Sequence, residues 1–187
     1  MRSVLIIDLN EMGLSSLEFV RPVEAIVRRA GLSPVQRKVR DVVEADWSSV
    51  AAVILSGTPL MDNAFLEEES VNRLAWLKTF KQPVLGICAG MEAIAAVFGG
   101  ELEEKKEIGM KNIRTTRKNK LFKGEFEAYC LHRKAISRQG DWLKDFDILA
   151  ESDACIEAIK HKDREVYGVM FHPEVRNQEM IERFLKQ

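Results

Sequence analysis

The chain has 187 residues, 46% of them hydrophobic, which is enough to build one α/β domain around a single core. Its 28 basic and 29 acidic residues nearly cancel, so the overall charge points neither to nucleic acid nor to a membrane surface, and no apolar run approaches the roughly 20 residues of a membrane span. Three cysteines scattered at 88, 130 and 155 make no disulfide framework and favour a reducing, cytoplasmic compartment.

Met1-Arg2-Ser3 leads directly into Val4-Leu5-Ile6-Ile7-Asp8, a β-branched run of the kind buried in a parallel sheet, so no leader segment is expected. A helix is predicted from about Leu17 to Arg29, capped by Gly31. Strands follow at Pro34 to Val39 and Ala51 to Leu55, with Asp41 to Trp47 between them. Ser56-Gly57-Thr58-Pro59 makes a turn, and Glu67 to Lys81 reads as a charged amphipathic helix to which no chemistry is assigned. Alternation of strand and helix predicts a mostly parallel open sheet with helices on both faces and ligands beyond the carboxyl ends of its strands.

The organising stretch is Pro83 to Gly100. Val84-Leu85-Gly86-Ile87 reads as a buried strand and Met91 to Phe98 as a helix, so Cys88 stands on the turn between them. Gly86 and Gly90 flank it with the spacing of a nucleophile elbow, where small residues let a strand turn sharply into a helix. At a helix N-terminus the positive dipole end favours the thiolate. Taken alone, Gly-x-Cys-x-Gly also describes an ordinary buried cysteine that ends a core strand.

Beyond Gly100 the texture changes. Loose alternation through Ile108, Ile113, Thr115 and Thr116 predicts a smaller antiparallel region. Lys111, Arg114, Arg117, Lys118, Lys120 and Lys123 read as a solvated face or a docking surface, with too few aromatics for nucleic acid. Phe126 to His132 alternates with period two, Ser152 to Ile159 and Val166 to Met170 form a hairpin, and Met180 to Leu185 a last helix. Cys130 and Cys155 read as core, and His161 as an exposed residue of a charged turn. The histidines and cysteines show no metal-ligand spacing, so no metal is expected. The second strand of that hairpin runs into Phe171-His172-Pro173-Glu174. In extended chain positions i and i+2 point the same way, so Glu174 can orient the His172 imidazole.

Together, Gly-x-Cys-x-Gly at 86 to 90 and Phe-His-Pro-Glu at 171 to 174 resemble the motifs of the class I glutamine amidotransferases, over nearly the whole chain. The resemblance implies one flavodoxin-like domain over residues 1–187, a Cys88-His172-Glu174 triad, and hydrolysis of glutamine through a glutamyl thioester. It implies an oxyanion hole from the backbone amides of Thr58 and Ala89. It also implies a glutamine pocket involving Gly57, Glu92, Leu131 and His132. The family's Ser-Gly-Gly-Pro is Ser56-Gly57-Thr58-Pro59 here. Its glutamine four places after the cysteine is Glu92, whose carboxylate lacks the amide's donors.

The chain lacks a P-loop and needs no cofactor of its own, so a partner that consumes the ammonia is implied. Glu107-Ile108-Gly109, Ala128 before His132 and the stretch from Ser152 to Glu174 are most similar to the stand-alone glutaminase subunits of archaeal two-subunit GMP synthases. That similarity implies an ATP pyrophosphatase partner subunit that binds ATP and Mg²⁺. The glutaminase component of an anthranilate or aminodeoxychorismate synthase, and a non-catalytic module with a dormant triad, remain as alternatives.

Overall fold

Side chains in the first strand alternate between two apolar environments. In β1 (Ser3–Asp8), Val4 and Ile6 belong to one hydrophobic cluster and Leu5 and Ile7 to another, so the sheet must be covered on both faces. The computed structural model describes residues 2–42 and 50–187, and the segment expected between the second and third strands lies largely outside them.

After β1 come α1 (Ser15–Phe19), α2 (Arg21–Arg29), β2 (Ser33–Lys38) and β3 (Val50–Leu55). The single helix expected from Leu17 to Arg29 is two helices that share Val20 as a junction. Pro22 sits in the first turn of α2, where its missing N–H costs nothing, and it prevents one helix from running through. The helix expected over Glu67–Lys81 is likewise α3 (Glu68–Arg73) followed by a 3-10 turn at Ala75–Lys78. Then follow β4 (Val84–Ile87) and α4 (Ala89–Val97). The remaining elements are β5 (Leu102–Thr115), β6 (Glu125–Ile136), β7 (Phe146–Glu151), β8 (Ile156–His161), β9 (Val166–Val169) and α5 (Glu179–Leu185).

Among the described residues these strands form one nine-stranded mixed sheet in the order β2-β1-β3-β4-β9-β8-β7-β5-β6. Neighbours from β2 to β9 are parallel and those from β9 to β6 antiparallel. On one face α2 and α5 pack Ile26 and Phe184 against Ile6, Ile54 and Leu85. On the other, Met91 and Ile94 of α4 join Leu74 and Leu77 over Leu5, Val53 and Leu55. The sheet also curls. Cys130 of β6 bridges Phe171, and the His172 amide donates to the Tyr129 carbonyl at 2.8 Å, so the last strand returns to the end of β9.

Two further features differ from the sequence expectation. β7 is a strand that the sequence pattern does not predict, because Phe146 to Glu151 alternates only weakly. His161 is buried, with its ring 5.2 Å from that of Phe146 and 5.7 Å from that of Phe98. No described helix is long and apolar enough to cross a membrane.

Candidate active site

The order β3-β4-β9 places three loops side by side at the carboxyl ends of adjacent parallel strands, where open α/β sheets bind ligands. These are Ser56-Gly57-Thr58 after β3, Cys88 after β4 and His172 shortly after β9. The Cys88 amide donates to Val169 O at 2.7 Å, which pins the end of β4 to β9.

Cys88 has φ 49° and ψ −105°, a strained conformation for a residue with a side chain. The flanking glycines make the turn sterically possible. A Cβ on Gly86 would stand 2.5 Å from the Gly90 carbonyl carbon and oxygen, and one on Gly90 would stand 2.5 Å from Leu55 O. The turn leaves Ala89 as the first residue of α4, so its amide has no acceptor inside the helix.

The His172 Nδ1 lies 2.7 Å from Glu174 Oε1, with both side chains buried. Its Nε2 has no hydrogen-bond partner. Phe19 and Tyr129 flank the ring, with centroids at 5.7 and 6.4 Å. Burial works against the imidazolium, but the charges of Glu174 and Cys88 outweigh it and hold the His172 pKa well above the usual value. Burial pushes the Cys88 thiol up, and the opposing pull of His172 does not offset it. The Cys88 Sγ lies 3.5 Å from the Leu131 carbonyl oxygen, an acceptor suited to a thiol proton.

A pocket of about 220 Å³ opens beside Cys88 and Ala89. It is lined by Thr58, Glu92, Leu131 and His132, and by Asp62, Glu104, Arg133 and Lys134, which no sequence motif singles out. Glu92 is buried, and burial pushes its carboxyl pKa up to about 8 against the pull of Lys134. At neutral pH Glu92 is therefore mostly a neutral acid, and it regains a hydrogen-bond donor that a carboxylate lacks.

Thr58 does not have positive φ, so the threonine imposes no backbone strain on this loop. Its hydroxyl lies 3.4 Å from Pro59 O and 3.3 Å from Asp62 O. Gly57 is needed for space, since a Cβ there would stand 2.7 Å from His172 Cε1. A buried network supports this loop from below. Leu9 N donates to Ser56 Oγ at 3.1 Å, Asn10 Nδ2 donates to Asp8 Oδ1 at 2.7 Å and to Gly57 O at 3.3 Å, and Lys38 Nζ pairs with Asp8 at 2.8 Å. Burial raises the Asp8 pKa, but Lys38 and the donors from Ser16 and Asn10 outweigh it and leave the carboxyl below its usual range.

His132 borders the pocket, but its ring nitrogens face other groups. Nδ1 donates to Lys105 O at 2.9 Å, and Nε2 turns towards Glu107 Oε2 at 3.5 Å.

A cysteine held on a strained strand-to-helix turn, with a buried His-Glu pair beside it at the ends of parallel strands, defines a thiol-dependent acyl-transfer site. The class-I glutamine amidotransferase family model matches residues 19–187, and the chain belongs to that family. Among curated proteins it is 37% identical over 143 residues to the glutamine-hydrolysing GMP synthase subunit of Methanocaldococcus jannaschii, covering 73% of this chain and 71% of that one. It is 33% identical over 189 residues to the protein of the same name from Methanococcus maripaludis, covering 97% and 94%. The fold matches a Thermoplasma acidophilum protein described as a candidate GMP synthase subunit, with TM-score 0.84, 22% identity and 100% and 93% of the two chains covered. It also matches a glutamine amidotransferase of Thermotoga maritima, with TM-score 0.72, 18% identity and 100% and 82% covered.

Proposed function

We propose that the chain is the glutamine-hydrolysing subunit of a two-subunit GMP synthase, with Cys88 as nucleophile, His172 as proton carrier and Glu174 as its orienting group. The observation that carries the chemistry is Cys88 on its strained turn beside the buried His172-Glu174 pair. The relatives named as glutamine-hydrolysing GMP synthase subunits, one matched over 97% of this chain, support the acceptor.

On this reading the carboxamide of glutamine enters the pocket with its carbonyl oxygen towards the amides of Thr58 and Ala89. Such backbone donors are worth about 3 to 4 kcal/mol to a tetrahedral transition state. The Cys88 proton passes to His172 as sulfur attacks the carboxamide carbon. The imidazolium, held by Glu174, returns that proton to the leaving nitrogen, and ammonia departs from a glutamyl thioester. His172 then takes a proton from water, which attacks the thioester and frees glutamate and the thiol. Arg133 and Lys134 suit the α-carboxylate of glutamine, and Glu104 and Asp62 its ammonium group. The charges of Glu174 and of the Cys88 thiolate, which raise the His172 pKa, stabilise the imidazolium once it has taken the Cys88 proton and hold it until the leaving nitrogen takes that proton.

The chain supplies ammonia, and the partner subunit binds ATP and Mg²⁺ and activates XMP. The exposed apolar side chains Met12, Leu14, Met61 and Val175 follow the carboxyl ends of β1, β3 and β9, on the pocket side of the sheet. They give that partner a place to dock over the site. The test is GMP formation from XMP, ATP and Mg²⁺ by this chain with the synthetase subunit from the same source, comparing glutamine and ammonium as donors. Synthesis from both donors is expected. Synthesis from ammonium but not from glutamine would reject the pairing, and chorismate-using partners would then be tested.

A further inference from the structure

Where β5 leaves β7 to run alongside β6 alone, the fold gathers four buried side chains that the reaction does not use as acid, base or nucleophile. Glu107 of β5 stands opposite His132 of β6, Cys155 lies in the turn before β8, and Glu157 lies on β8. One ligand atom from each falls within 4.8 Å of every other. We propose that Glu107, His132, Cys155 and Glu157 form a closed structural zinc site that ties β5, β6 and β8 together behind the pocket.

The separations support this assignment. Zinc bonds of about 2.0 Å to nitrogen or oxygen and about 2.3 Å to sulfur place tetrahedral ligands about 3.3 to 3.6 Å apart. His132 Nε2 is 3.5 Å from Glu107 Oε2, Cys155 Sγ is 3.3 Å from the same oxygen, and Cys155 Sγ is 3.5 Å from Glu157 Oε1.

The imidazole gives an independent indication. Its Nδ1–H is donated to the Lys105 carbonyl, so in the neutral ring Nε2 presents a lone pair. That nitrogen is buried, has no hydrogen-bond partner and faces a carboxylate oxygen, which is itself an acceptor. A cation between them gives the nitrogen lone pair the partner it lacks, and a backbone carbonyl on the other ring nitrogen is the usual support of a metal-bound histidine.

The surroundings orient the remaining ligands. Ser152 Oγ donates to Glu107 Oε2 at 3.0 Å and accepts the amides of Ala154 and Cys155 at 3.2 Å each, which fixes both the carboxylate and the turn that carries the thiol. One thiolate, one imidazole and two carboxylates favour zinc over magnesium or calcium, and four protein ligands leave no open position for a reacting water. Binding displaces the Cys155 thiol proton, and any proton on the carboxyls, to solvent. Glu107 and His132 lie on strands far in sequence from the Cys155-x-Glu157 segment, which is why no spacing pattern marks the set.

The experiment uses the full chain without a histidine tag, stripped with chelator and titrated with Co²⁺ as a spectroscopic stand-in, followed by Zn²⁺ competition. One equivalent of Co²⁺ is expected to give tetrahedral d–d bands and a thiolate charge-transfer band, and Zn²⁺ to bleach both. The charge-transfer band should survive in Cys88→Ala and vanish in Cys155→Ser. Affinity in Cys155→Ser should fall by more than the roughly 10- to 100-fold that a supporting residue costs. Glu157→Gln, which keeps every cysteine, should weaken binding in the same way if Cys155→Ser does not fold. Absence of bound metal in the natural chain would overturn the assignment. Loss of the band with Cys88→Ala would do so too, since it would place the metal on the catalytic thiol. So would a band unchanged in Cys155→Ser.

Discussion

Replacing Glu92 by glutamine should make this protein more stable, and the gain should depend on pH in a definite way. Burial raises the Glu92 carboxyl from 4.5 to about 8. The folded state therefore holds this proton more tightly than the unfolded chain does. That preference contributes fully below pH 4.5 and is lost as pH rises towards 8. Each pH unit between the two values removes about 1.36 kcal/mol, so Glu92 costs the fold about 3 kcal/mol at pH 7 and about 5 kcal/mol above pH 8. Glutamine has the same shape and does not titrate. Urea unfolding of the natural chain and Glu92→Gln across pH 4 to 9 should give coincident stabilities near pH 4.5, diverging as pH rises, with the variant the more stable. A constant difference, or one that shrinks with pH, would refute the view that Glu92 is a buried neutral acid. The same variant should keep its glutaminase activity above pH 8, where the natural chain gains an anion beside Cys88.

Further expectations follow from the packing around the site. Gly90→Ala puts a methyl group 2.5 Å from Leu55 O and forces α4 off β3, costing about 3 kcal/mol by thermal or urea unfolding. Gly57→Ala pushes the His172 ring, so turnover should drop about 100-fold while the unfolding midpoint moves little. Lys38→Met strips the buried Asp8 carboxylate of its cation and should cost about 3 kcal/mol at neutral pH. The Asp8 carboxyl is held below its ordinary 3.8, so its stabilising contribution exists above that value and is lost as pH falls through the folded pKa; the Lys38→Met deficit should shrink in the same direction.

What is legible in the sequence is what local chain geometry dictates. The Gly86-x-Cys88-x-Gly90 turn, the i, i+2 pairing of His172 with Glu174 and the apolar parallel strands each depend on residues close in sequence. The rest depends on distant partners. Asp8, Asn10 and Ser56 act together only because β1 and β3 are neighbours. Asp62, Glu104 and Lys134 reach the pocket from separate loops and strands. Glu107 meets Cys155 and Glu157 only once the antiparallel half of the sheet has formed. The upward push on the Cys88 pKa escapes a sequence reading for the same reason. Its position at a helix N-terminus is local, but the burial that raises its pKa comes from the whole fold around it.

The most direct test of the central claim is to trap the covalent intermediate. The chain, with its synthetase partner turning over glutamine, is quenched in acid, digested and analysed by mass spectrometry. A glutamyl group on the Cys88 peptide, absent from Cys88→Ala while ammonium-dependent synthesis continues in that variant, is the result expected. Ammonia release from glutamine by Cys88→Ala at an undiminished rate, or a glutamyl group on Cys130 or Cys155 instead, would contradict it.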